Sequence, residues 1–139
     1  MRKELREKLN TIINNNRKWP LLLEGVTASN FPSAIIIPAI ISSSELGVVP
    51  SSTGLKYPSW VMQMMIKSKK SDRILLVIDG LDRIIESEQE KFHSILKFSR
   101  INGYKFPEGT QIIIPVNKGG MKRVAGSIKS LTIPYKVEE

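Results

Sequence analysis

Residues 74–84 read ILLVIDGLDRI. Ile74, Leu75, Leu76, Val77 and Ile78 run without a polar break, and Asp79 and Gly80 follow at once. A short run that is apolar at every position predicts a strand buried on both faces, the pattern of a central strand in a parallel sheet. Open α/β sheets bind their ligands beyond the carboxyl ends of such strands, and Asp79 stands at one. An isolated VIDG reads equally well as an Asp that caps the next turn, so the weight rests on its neighbours.

The neighbours supply further strands. TQIIIPV at 110–116 is a second central-type strand, ending on Asn117. LLLE at 21–24 is a short apolar strand closed by Gly25, and 46–50 predicts another short strand. LTIPYKV at 131–137 is a last strand, where Pro134 suits a sheet edge. AIIIPAII at 34–41 carries conflicting signals. Three isoleucines and Pro38 favour a strand, whereas the position after a strand–glycine–loop favours a helix, and we read it as a distorted short helix. Residues 51–56 read as an exposed loop.

Helices fill the gaps. Leu5, Leu9, Ile12 and Ile13 make one apolar stripe, with Arg2, Lys3, Arg6 and Lys8 on other faces, and the asparagines 14–16 end it. Pro58 suits a first helical turn, and Trp60, Val61, Met64 and Met65 form that helix's buried face. The basic stretch 67–73, KSKKSDR, makes a turn before the central strand. Ser87 with Glu90 predicts a capping box ahead of Phe92, Ile95 and Leu96. His93 reads as a surface or packing histidine. Asn102-Gly103 and residues 107–109 are turns.

The totals bound the class. At 139 residues the chain predicts one domain with a real core. Its 41% hydrophobic and 24% charged residues are globular proportions. The absence of cysteine excludes a disulfide framework and thiolate metal sites, and a single histidine argues against zinc. The uncharged apolar stretch 33–44 contains Pro38 and is too short to span a bilayer, so no membrane association is expected. MRKELREK carries no hydrophobic leader, which predicts a cytoplasmic protein. The net charge of +8 favours an acidic partner, either nucleic acid or an acidic protein face.

Strand, glycine and loop at 21–33 invite comparison with a phosphate-binding loop, G-x-x-x-x-G-K-[ST]. Gly25 fits the first glycine, but Asn30, Phe31 and Pro32 fall where the second glycine, the lysine and the hydroxyl belong. Ser33 offers a hydroxyl one place late. Phe31 cannot pair with a phosphate, and Pro32 removes a backbone N–H. A charge-assisted hydrogen bond is worth about 1.5–3 kcal/mol, so loss of the lysine alone weakens phosphate binding by about 10- to 100-fold or more.

The order of pieces resembles the core ATPase domain of the AAA+ family, most closely its MoxR-like branch. The motifs that carry the resemblance are YPSWVMQMM at 57–65, LLVIDGLDR at 75–83, GYKFPEG at 103–109, IIIPVN at 112–117 and SLTIPYKV at 130–137. The resemblance implies a three-layer α/β/α sandwich spanning 1–139 as a single core domain without the helical lid. Its five-stranded, mostly parallel sheet would have the order 5-1-4-3-2, with strands at 21–24, 46–50, 74–79, 111–116 and 131–135. A central position for 74–79 is essential to this expectation.

The resemblance also assigns roles. Asp79 would be the Walker B aspartate that helps hold Mg²⁺, Asn117 the sensor-1 asparagine that orients water, and Gly25 the opening glycine of the phosphate loop. Asp79, Asp82 and Asn117 are then the catalytic candidates. Gly25, Asn30, Ser33 and Asp79 are what remains of a nucleotide site, with Asp79 as metal ligand. Gly80 stands where the family has its catalytic glutamate. Arg123, past sensor 1, lacks flanks specific enough to name it an arginine finger.

With lysine, Ser/Thr metal ligand and glutamate all replaced, the expected function is that of a degenerate ATPase domain. It would be a regulatory or scaffold subunit working by protein contact, within an active AAA+ assembly or by self-association. No retained cofactor is expected, although ATP with Mg²⁺ is what an intact site would take. Two alternatives stand beside this: a basic nucleic-acid-binding module on the same scaffold, or a weak ATP binder with altered chemistry.

Overall fold

The computed structural model describes residues 1–47 and 49–137. In chain order the elements are α1 (Lys3–Asn15), β1 (Leu21–Glu24), β2 (Ile35–Pro38), α2 (Ser43–Gly47), β3 (Val49–Ser51), β4 (Gly54–Lys56) and α3 (Ser59–Ser68). Then come β5 (Ile74–Asp79), α4 (Glu86–Gln89), α5 (His93–Phe98), β6 (Arg100–Ile101), β7 (Tyr104–Lys105), β8 (Thr110–Val116), α6 (Gly126–Lys129) and β9 (Ile133–Lys136).

Five of the strands form one sheet in the order β2-β5-β8-β1-β9, and every pairing in it is parallel. Counted along the chain, this is the expected order 5-1-4-3-2 read from the other edge. β5 and β8 are interior and nearly continuous in burial, as unbroken apolar runs demand when helices cover both faces. The two edge strands each carry a proline, Pro38 and Pro134, where a missing N–H costs no ladder bond to an outer neighbour.

Side chains alternate across the sheet and feed two cores. On one face Leu22, Leu76, Ile78, Ile112 and Ile114 pack with Trp60, Val61 and Met64 of α3 and with Phe92, Ile95 and Ile128. On the other face Leu21, Leu23, Val77 and Ile113 pack beneath Leu5, Leu9 and Ile13 of α1, and Phe31 joins them. This is the three-layer sandwich.

Several expectations need correction. Residues 34–41 do not form a helix, because Ile35–Pro38 is β2, with alternating burial and Ile35 and Ile37 facing the core. β2, not 46–50, is therefore the second strand of the sheet. Leu46 and Gly47 end α2, Val48 lies outside the described residues, and 49–51 pairs only with β4 in a small antiparallel hairpin. The loop expected at 51–56 is thus partly that hairpin. Pro58 is the residue before α3 and its carbonyl accepts the N–H groups of Val61 and Met62. The Ser87–Glu90 capping box does not form: the residue before α4 is Ile85, without a side-chain cap, and the Glu90 carboxylate accepts from the Ser127 hydroxyl.

Asn102-Gly103 turns β6 into β7 with φ of 42° and 83°, the two positive values a type I′ hairpin requires. Tyr104 there packs against Tyr57 and Phe106. Partial burial, and then the neighbouring Tyr57, raise its hydroxyl above the ordinary 10.0. Among the described residues no helix is long and apolar enough to cross a membrane.

Candidate functional site

The carboxyl ends of β1, β5 and β8 open into a cleft of about 280 Å³. Asp79, Asp82 and Asn117 meet there, facing Thr27 and Ser29 of the loop after β1. This is where a parallel α/β sheet presents its ligand site, because successive connections leave the strand ends in opposite directions.

The loop 25–34 is built differently from a phosphate cradle. Gly25 has φ +101°, and a Cβ on it would meet the Val137 carbonyl oxygen at 2.5 Å, so the position demands glycine. Its N–H donates to the Val116 carbonyl. Thr27 donates its N–H to Asn30 Oδ1 at 2.9 Å, and Asn30 returns its own N–H to the Thr27 carbonyl. The N–H groups of Phe31 and Ala34 go to the Ala28 and Phe31 carbonyls. Five of the loop's backbone donors are thereby consumed, and Pro32 has none. A single 3-10 turn, Ala28–Asn30, replaces the helix that would aim its amino end at a phosphate. Phe31 is 4% exposed and points into the α1-side core rather than the cleft. Asn30 and Ser33 line a separate groove beside α1, and Ser33 gives its carbonyl to Lys67 Nζ.

On the acidic side Asp79 is about a third exposed, and Arg83 Nη2 lies 3.5 Å from its Oδ1. The i,i+4 spacing brings that guanidinium back over the turn, against Gly80. Gly80 has φ +88°, a left-handed conformation that costs an L side chain energy whatever space surrounds it. Asp82 is 4% exposed and accepts the Asn117 N–H on Oδ2 at 3.2 Å. That oxygen also packs against Gly120, where a Cβ would clash. Asp82 therefore fastens the turn after β5 to the end of β8. The Asn117 side chain remains exposed at the cleft. Among the described residues no three His, Cys, Asp or Glu side chains converge closely enough to hold a metal ion.

Two residues that the sequence did not single out hold this end of the sheet together. Glu24, nearly buried, accepts the Met121 N–H at 3.0 Å. Gln89 is fully buried: its amide nitrogen donates to the carbonyls of Leu81, Ile84 and Arg123, and its oxygen accepts from Ala125 N–H. Neither carries a motif; a Glu that ends an apolar strand is the one visible signal. Arg83 meets Asp79 only because the turn after β5 folds its side chain back over Gly80. Arg123 is exposed, and its carbonyl serves Gln89.

No family model matches the chain, and no curated protein does. Solved structures do. A DNA polymerase III gamma subunit-related protein from Thermotoga maritima superposes with a TM-score of 0.52 at 14% identity, over 97% of this chain and 46% of that one. A Thermotoga maritima RuvB variant gives a TM-score of 0.52 at 13% identity, over 98% of this chain and 46% of its own. A second RuvB variant gives 0.50 at 13%, over 100% and 45%. The chain thus has the fold of the AAA+ class of P-loop proteins and spans under half the length of these neighbours. At such identities the likeness establishes the fold alone.

Proposed function

We propose that this is a degenerate AAA+ core that has given up ATP hydrolysis and works by protein contact, as a regulatory or scaffold subunit. The observation that carries the reading is the loop 25–34, in which five backbone N–H groups are bonded within the protein and Phe31, where a lysine would be needed, is buried in the core. Phosphoryl transfer depends on positioned charge and preorganised donors. This loop has no lysine and no α-helix amino end, only a single 3-10 turn. The one cation lining the cleft among the described residues, Arg83, sits on the carboxylate that would hold Mg²⁺. These residues do not fit a Mg²⁺–triphosphate group. The MoxR-like resemblance from 57 to 117 bears on ancestry within the class and adds no site residue beyond those.

The test is calorimetric titration with ATP and Mg²⁺, with Asp79→Ala as control. We expect no heat at millimolar nucleotide. Saturable binding lost in the mutant would instead mean a rebuilt nucleotide site using Asp79, Asp82 and Asn117, and the reading would fall. A nucleic-acid module is the second reading, favoured by the basic stretches on α1 and at 67–73. It requires binding to DNA or RNA that weakens steeply with salt.

A further inference from the structure

The layer formed by α1 is half built. Five strands spaced about 4.8 Å apart make a sheet about 19 Å wide, and a helix covers about 10 Å of that when aligned with the strands. α1 is so aligned. Met1 at its start touches Asn30 beyond the end of β1, and Asn14 near its end takes a hydrogen bond from Arg73, just before β5. The crossover from β1 to β2 supplies no second helix, because its ten residues form only the 3-10 turn.

What remains between α1 and β5, on the side toward β2, is a groove of two contiguous hollows of about 470 and 480 Å³ that share Asn10, Ile13, Ser33 and Leu75. Leu9 and Ile13 form its α1 wall, and Leu75 its floor. The β2–β5 register puts Ile36 on the same sheet face as Val77, and Ile36 is 38% exposed. Arg6, Lys67 and Arg73 stand around the groove, and no Asp or Glu is among its described lining residues. Asp72 lines a different cleft, beside Glu108. An apolar floor with a cationic rim, in the place of a missing helix, has the complementarity of an amphipathic helix with acidic flanks. Nucleic acid would satisfy the rim but leave the floor unused. A second copy of this chain, at +8, is repelled.

We propose that this groove docks an acidic amphipathic helix of a partner protein, laid beside α1 as the second helix of that layer. The proposal rests on the protein-contact reading above and gives that contact a place and a chemistry.

The probe is a fluorescein-labelled peptide of about 14 residues, about 20 Å as a helix, with leucines on one stripe and glutamates flanking it. A second peptide has lysine in place of every glutamate, and a DNA duplex serves as competitor. The expected result is binding of the glutamate peptide at least about tenfold tighter than the lysine peptide, a difference of about 1.4 kcal/mol. Arg6→Glu and Ile36→Asp should each weaken it about tenfold. Both positions are exposed, and circular dichroism verifies their folding. Absence of binding, equal binding of both peptides, indifference to both substitutions, or displacement by DNA would each overturn the proposal. ATP calorimetry on the same protein separates the two readings. Peptide binding beside ATP binding leaves the groove and removes the degenerate-ATPase reading. Silence in both assays does the reverse.

Discussion

At the residue scale, the end of β5 decides what the cleft can do. In sequence, Gly80 stands where the resemblance leads one to expect a glutamate. In the structure it is the residue that lets the chain turn through φ +88° while Arg83 folds back onto Asp79. Placing a glutamate there should therefore fail to create hydrolysis. Gly80→Glu places an L side chain in the left-handed region at a cost of about 1–2 kcal/mol. The contact with Arg83 adds little, since the end of that side chain can move. We expect a corresponding fall in the urea unfolding free energy and no Mg²⁺-dependent ATP turnover. Turnover in this variant would show that the rest of the machinery had survived. The glycine itself was legible in the sequence. The backbone conformation was not, because φ at a glycine is set by what surrounds it.

At the element scale, loop 25–34 and β2 stand where the resemblance leads one to expect a phosphate loop and its helix. Phe31 is the pin: it turns into the core with Leu21, Val77 and Ile113. Phe31→Ala should cost about 3–5 kcal/mol, the range for removing a buried aromatic side chain, read as a lowered denaturation midpoint. Phe31→Lys should cost at least as much and confer no nucleotide binding, because the position faces away from the cleft. Nucleotide binding in that variant would show that the loop can reopen. The departure of residues 30–32 from the phosphate-loop pattern was plain from residue types alone. The element was misread because isoleucine runs suit buried strands and buried helix segments alike, and periodicity cannot separate them over so few residues. Alternating burial along β2 settles it, and burial is a property of the partner β5.

At the scale of the whole molecule, one sheet carries two cores, and α1 is the principal cover of one of them. Removing residues 1–16 would strip Leu5, Leu9 and Ile13 from Leu21, Leu23 and Val77. At about 1.5–3 kcal/mol for each buried aliphatic side chain, that approaches the total stability of an ordinary domain, about 5–15 kcal/mol. We expect the truncated chain to lose cooperative thermal unfolding by circular dichroism. Retention of a cooperative transition would mean that the other face is sufficient. The sequence by itself determined the α/β class, the central character of 74–79 and 110–116, the amphipathic first helix and the departure of residues 30–32 from a phosphate-loop pattern. Those follow from residue type and spacing, which are local and additive, whereas the strand order was what the resemblance implied. Only the tertiary structure decided that residues 35–38 are the second strand, that Phe31 is a core residue, that Arg83 rests on Asp79, and that a groove runs between α1 and β5. Each of these depends on groups far apart in the chain competing for the same space and the same hydrogen-bonding partners.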